Sequence, residues 1–104
     1  MKLYLISQNV NNDYDTFDSA VVCAENEEKA KRVHPKEGRD FPRIFYNEKT
    51  RQFCNYNVYE ELYLFEHKIF GSWTNDLSKI NVKYLGEANE GMAEGVICAS
   101  FNAG

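Results

Sequence analysis

The stretch DSAVVCAENEEKAKRVHP, residues 18–35, joins a short apolar run to a sequence with the features of a capped helix. Residues 19–24 carry no charge and are small or β-branched, a pattern typical of a strand buried on both faces. Asn26 suits the N-cap position, and Pro35 cannot continue a helix. We therefore predict a strand that leads directly into a helix, with the rest of the chain covering or extending this unit.

The composition predicts one globular domain that spans residues 1–104, because the chain is long enough to form a single core. The hydrophobic fraction of 43% and the charged fraction of 27% are ordinary for folded proteins and argue against disorder. The first eight residues lack the apolar run of a signal peptide, and no run is long enough to cross a bilayer. We expect a soluble protein of a reducing compartment.

Three further segments have the apolar character of strands. Residues 1–7 and 95–101 are nearly free of charge, which favours central strands, and residues 81–88 alternate before a glycine. We expect Val22 and Ile97 to be almost fully buried in two of these strands. Residues 43–46 and 51–54 are able to pair as a hairpin across a four-residue connection.

The segment 58–70 is ambiguous between helix and strand. Its Tyr, Phe and Ile content favours a strand, whereas the apolar spacing at positions 58, 62, 65 and 69 favours a helix, which we adopt. The resulting fold class is α+β, with a single sheet of about four main strands, two covering helices and a basic, aromatic-rich insertion.

Several phrases of the sequence are distinctive: MKLYLISQ at 1–8, YDTFDSAVV at 14–22, HP at 34–35, YLGEA at 84–88 and VICASFNAG at 96–104. In these phrases the chain resembles a group of small phage- and prophage-encoded proteins of unknown function. The resemblance covers residues 1–35 and 73–104 and implies a viral accessory protein that acts in the cytoplasm of a bacterial host cell. It implies no catalytic or binding residue.

The charges are distributed unevenly along the chain. Residues 29–51 hold eight of the twelve basic residues and three acids, whereas the net charge of the whole chain is −4. Three arginines of this stretch alternate with aromatic residues, a combination that binds phosphate and stacks on bases. The candidate binding residues of segment 29–53 are Arg39, Arg43, Arg51, Phe45 and Phe53. The alternative interpretation is a solvated basic surface that balances an acidic remainder.

The polar loop 11–15 places Asp13 and Asp15 at alternate positions, as oxygen ligands of a hard cation are often placed. It lacks the glycine and the terminal glutamate of an EF-hand loop, so Asx turns explain it better and we predict no metal. We retain both aspartates as candidate binding residues.

No catalytic motif stands out. Cys54 and His67 are a conceivable nucleophile and base, but no third group to orient them is evident, and zinc-ligand spacing is absent. Cys23 and Cys98 lie in apolar runs, so we expect both to be buried and unreactive, and Cys54 to be the most reactive thiol. We predict no enzyme activity and no cofactor.

These observations lead to two hypotheses about function. The first is a non-enzymatic phage accessory binding protein, such as an inhibitor of a bacterial defence system of the anti-CRISPR kind, whose partner is a host protein or a small anionic signal. The second is a nucleic-acid or nucleotide-binding module that uses the basic, aromatic segment 29–53.

Overall fold

The computed structural model describes residues 1–10, 15–36, 44–56, 62–64 and 73–102. These residues form two antiparallel sheets, one α-helix and a short 3₁₀ helix, Leu77–Lys79. In chain order the elements are β1 (Lys2–Ser7), β2 (Thr16–Ala24), α1 (Glu27–Lys31), β3 (Ile44–Asn47), β4 (Gln52–Tyr56), β5 (Leu62–Leu64), β6 (Asn81–Glu87) and β7 (Gly95–Asn102).

The larger sheet has the strand order β6-β1-β2-β7 and is antiparallel throughout. β1 and β2 pair without a register shift, from Lys2 opposite Ala24 to Ser7 opposite Ser19. Bulges interrupt the outer pairs, because Leu85 is an extra residue in β6 and Ile97 an extra residue in β7. The sequence was correct that β1 is central, but β7 lies at an edge.

The smaller sheet has the order β3-β4-β5. β3 and β4 form the predicted hairpin, with Asn47 opposite Gln52 and a four-residue connection at 48–51. The Asn47 side chain closes this turn by accepting hydrogen bonds from the backbone N–H groups of Lys49 and Thr50.

Helix α1 begins where the sequence predicts. The Asn26 side chain accepts a hydrogen bond of 2.9 Å from the backbone N–H of Lys29, and Glu27 and Glu28 occupy the first turn. The helix ends at Lys31, about one turn before Pro35, the residue that cannot continue it. Its single buried residue, Ala30, faces the core.

The core lies against one face of the larger sheet, which we call the inner face. Tyr4, Ile6, Ala20 and Val22 form its centre, where neighbouring strands place them opposite one another. Side chains from the rest of the chain complete the cluster; they are Phe17, Ala24, Ala30, Val33, Ile44, Phe53, Trp73 and Ile80. The hairpin and the helix therefore cover the inner face.

The predicted fold class is wrong in its helices and in its single sheet, because the described residues form two sheets. Leu62–Leu64, inside the expected second helix, is a strand that pairs with β4, and α1 is the one α-helix of the described residues. The described part of the chain is thus mainly β rather than a sheet under two helices. The remainder of the segment 58–70 lies outside the described residues.

Two expectations about burial also need correction. Val22 is fully buried as predicted, but Ile97 is 47% exposed because β7 is an edge strand and Ile97 lies at its bulge. The thiol of Cys98 is exposed for the same reason, whereas Cys23 and Cys54 are buried. Nowhere in the described ranges is a helix long and apolar enough to cross a membrane.

Candidate functional site

The described residues of the predicted basic site, Arg51, Phe45 and Phe53, do not converge on one surface. Arg51 is exposed at the end of the hairpin turn, where its φ of 56° is left-handed and its backbone N–H donates to the Asn47 carbonyl. Phe45 lies opposite Cys54 and Phe53 lies opposite Tyr46, so the two phenylalanines project from opposite faces of the hairpin. Arg39 and Arg43 lie outside the described residues.

Phe53 belongs to the core. Its side chain is fully buried and makes edge-to-face contacts of 5.1 Å, between ring centroids, with both His34 and Tyr46. A base has no exposed face of this ring on which to stack. Phe45, which is partly exposed, lines an open cleft of about 380 Å³ together with Lys29, Arg32, Val33, Ile44, Tyr46, Glu94 and Gly95.

Two basic residues of the segment 29–53, Arg32 and Lys29, form ion pairs within the protein. The Arg32 guanidinium bonds Glu48 at 2.6 Å and Glu28 at 3.3 Å, and lies 5.9 Å from the centroid of the Tyr46 ring. The hydrogen bond with Glu48 raises the pKa of Arg32 further. Lys29 pairs with Glu25 at 3.2 Å. The Arg32–Glu48 contact joins the end of α1 to the hairpin turn, and the other two pairs are local to the helix. Such pairing fits the interpretation of a balancing basic surface.

Arg51 lines a larger open cleft, of about 660 Å³, between the hairpin turn and residues 74–78. The cleft also contains Glu48 and Asp76, so its acids outnumber this arginine. Asp76 accepts hydrogen bonds from the Ser78 hydroxyl and backbone N–H, at 2.6 and 3.0 Å, which lower the pKa of its carboxyl group. The cleft is not a strongly cationic site.

His34 is buried beneath the hairpin. Its Nδ1 accepts a hydrogen bond of 3.0 Å from the backbone N–H of Lys36, and burial lowers its pKa to about 3. The imidazole is therefore neutral at pH 7 and has a structural role. The other histidine, His67, lies outside the described residues. Burial also raises the pKa of Cys54, the opposite of what a reactive thiol requires.

Of the two candidate aspartates, Asp15 is exposed and Asp13 lies outside the described residues. Asp15 has a φ of 61°, and its backbone N–H donates to the Asn102 carbonyl at 2.6 Å, which fastens the end of the polar loop to β7. In the described ranges, no three His, Cys, Asp or Glu side chains are grouped as metal ligands would be.

The opposite face of the larger sheet, which we call the outer face, is the feature that sequence reasoning missed. Leu3, Leu5 and Val21 lie on it and are only half-buried. The register places Lys83, Leu5, Val21 and Cys98 in one row across the four strands. An adjoining polar row consists of Asn81, Ser7, Ser19 and Ser100.

The outer face therefore has an apolar centre that the core elements do not use. At one end Cys23 is fully buried, with its Sγ 3.6 Å from Met1 Sδ and 4.0 Å from the Met92 carbonyl. The sequence signal was present in the alternating leucines of β1, but a strand apolar on both faces indicates burial or binding equally well.

Acidic side chains predominate around this sheet. Its strands and their described connections carry two lysines, Lys2 and Lys83, against five exposed acids, which are Asp15, Asp18, Glu87, Glu90 and Glu94. The register places Lys2 and Glu87 on the inner face with Tyr4, and Glu94 lines the cleft beside the hairpin, whereas Lys83 lies in the row of Leu5 on the outer face.

Comparisons with protein-family models, with curated proteins and with solved structures find no match to this chain. The resemblance to phage-encoded proteins stays a prediction, as does the single-domain organisation.

Proposed function

We propose that this chain is a non-enzymatic phage accessory protein that binds a protein of the bacterial host in the cytoplasm and thereby inhibits it. The observation that carries the proposal is the outer face, where Leu5 and Val21 at the centre of the sheet remain partly exposed. Partly exposed apolar side chains grouped at the centre of a sheet suit a surface that a partner covers.

The net charge of the chain, which is −4, indicates the chemistry of the partner. A negative net charge favours a partner whose apolar patch lies on a basic surface, because charges of opposite sign guide association and exclude incorrect partners. Host proteins that handle nucleic acid have such basic surfaces, which makes components of a defence system suitable targets.

The alternative, a nucleic-acid or nucleotide-binding module at segment 29–53, receives less support. Arg32 and Lys29 are paired with acids, Phe53 is buried, and the cleft beside Arg51 contains Glu48 and Asp76. An anion at this cleft would meet carboxylates as well as the guanidinium. Arg39 and Arg43 remain candidates of the sequence alone.

The experiment compares what a tagged wild-type protein and the Leu5→Thr/Val21→Thr double variant retain from a nuclease-treated bacterial lysate, measured by quantitative mass spectrometry. We expect one host protein to be retained in stoichiometric amount by the wild type and reduced about tenfold or more with the variant. Threonine keeps the strand propensity of the positions, so the variant removes apolar surface without removing the strand.

The matched control is Val10→Thr, which makes the same chemical change at a 49% exposed valine outside the sheet. It should retain the partner as the wild type does. Retention should also decrease with added salt, because screening weakens attraction between exposed charges. Equal retention by the double variant would contradict the assignment of the outer face. Nucleic acid retained by the wild type from a parallel lysate without nuclease, detected by gel electrophoresis, would favour the alternative.

A further inference from the structure

β7 is an edge strand whose residues are unusually exposed to solvent. It pairs with β2 and with no other strand in the described part of the chain. Its eight residues include neither a charged residue nor a proline, and residues 97–101 are all exposed. An edge strand of this kind presents backbone N–H and C=O groups to a further strand, and natural proteins usually protect such edges.

The opposite edge of the same sheet has the usual protection. β6 carries the exposed charges Lys83 and Glu87, and the Tyr84 hydroxyl donates to Glu87 at 2.7 Å. Leu85 forms a bulge there and is 47% exposed. Charges and bulges of this kind discourage a further strand from adding to the edge. Both edges have a bulge, but only β6 carries charges, so β7 is the edge open to pairing.

The large exposed side chains of β7 are symmetric about Ala99. Ile97 is 47% exposed and Phe101 is 37% exposed while its ring packs on Phe17, and each is two residues from Ala99. If two copies of β7 pair antiparallel about a twofold axis at Ala99, each Ile97 lies opposite a Phe101 of the second copy. Aromatic and β-branched residues opposite each other stabilise antiparallel strands.

The remaining positions fit the same register. Cys98 lies opposite Ser100 of the second copy, and Ala99 lies opposite its own copy, so small side chains meet small side chains. Charge also favours this edge, because two copies with a net charge of −4 repel each other and β7 brings no like charges together. The strand is thus complementary to itself in size, apolar character and charge.

We propose that two copies of this chain pair β7 against β7 about a twofold axis at Ala99 and form a continuous eight-stranded sheet. The axis is perpendicular to the sheet, so both outer faces point in the same direction and double the binding surface. The proposal concerns the edge and stands independently of the proposed function, which concerns Leu5 and Val21.

The first test is the mass of the protein in solution, measured by sedimentation equilibrium from about 1 to 500 µM, since dimer formation depends on concentration. We expect the wild type to be a dimer at the upper end and Ile97→Lys to weaken association by about tenfold or more. The matched control is Leu85→Lys, which makes a similar change at an equally exposed bulge residue of β6. It should associate as the wild type does. A wild type that is monomeric throughout, or an equal loss in both variants, overturns the proposal.

The second test fixes the register and does not depend on weakening the dimer. In Ser100→Cys, the new thiol should lie opposite Cys98 of the second copy, and diamide should oxidise the two thiols to an interchain disulfide while being reduced to its hydrazine. The control Cys98→Ser/Ser100→Cys should form much less of this dimer, and the buried Cys23 and Cys54 do not compete. Equal cross-linking with and without Cys98 excludes the Ala99 register and overturns the proposal.

Discussion

The inner and outer faces of the larger sheet are built from alternate residues of the same strands, yet they differ in what covers them. On β1, Ile6 is fully buried in the core, whereas its neighbour Leu5 is partly exposed on the outer face. On β2, Val22 and Val21 differ in the same way. The comparison shows that an apolar residue in a strand either stabilises the fold or forms a contact surface. The face of the sheet on which the residue lies decides between the two.

The largest expected difference is in thiol reactivity. Cys98, exposed on the edge strand, should react with a thiol reagent about a thousandfold faster than Cys23 or Cys54, because the buried thiols react only after local opening. Labelling of the folded protein followed by peptide mass spectrometry measures this. Fast labelling of Cys23 would indicate that Met1 and Met92 do not protect this end of the outer face.

The next difference compares Ile6→Ala with Leu5→Ala. Ile6→Ala should lower the free energy of unfolding by about 2–5 kcal/mol, because it leaves a cavity in the core. Leu5→Ala removes a side chain that is already partly solvated, so we expect about 1 kcal/mol or less. Urea denaturation of both variants gives the two values. Equal losses would show that the outer face is as tightly packed as the inner face.

A pH titration of stability tests the contribution of His34, a polar residue buried in the protein. Because the folded protein holds His34 with a pKa of about 3, the unfolded chain takes up a proton first as the pH falls below about 6.5. Stability should therefore be lost on acidification, by about 2 kcal/mol between pH 7 and pH 5. In His34→Asn, whose side chain is able to accept the Lys36 N–H, this loss should be absent. An unchanged pH dependence in His34→Asn would show that His34 is not its source.

The smallest expected difference in the free energy of unfolding is between substitutions of two adjacent valines of β2. Val22→Thr should cost about 1–3 kcal/mol, because it buries a hydroxyl group among apolar side chains. Val21→Thr should change the free energy of unfolding by no more than about 0.5 kcal/mol, as is usual at partly exposed positions. Thermal unfolding of the two variants resolves them. A loss of several kcal/mol in Val21→Thr would mean that the outer face belongs to the core.

Local chemistry explains which parts of the fold the sequence predicts. The cap at Asn26 and the hairpin around Asn47 depend on contacts between residues two to four positions apart, so their signals lie within a few letters of sequence. The fully buried Val22 was also predicted correctly, because it lies in a strand that is paired on both sides.

The errors have an equally definite cause. The absence of charge in β7 predicts burial, although an edge strand is able to have the same composition. In the segment 58–70, apolar residues are so frequent that a helical spacing is easily found, and Leu62–Leu64 is nevertheless a strand. Strand order depends on the whole chain, so no local pattern predicts which strand lies at an edge. The outer face was missed for the same reason.

The strand order β6-β1-β2-β7 has a consequence for how the chain folds. β1 and β2 form a local hairpin, but each also pairs with a strand more than seventy residues further along, as Cys23 does with Gly95. Contacts of such long range slow folding, because a large loop must be closed before they form. The cost of closure increases only with the logarithm of loop length, by about 0.6 kcal/mol for each doubling. The pairing of β1 with β6 and of β2 with β7 therefore tolerates large changes in the length of the middle segment.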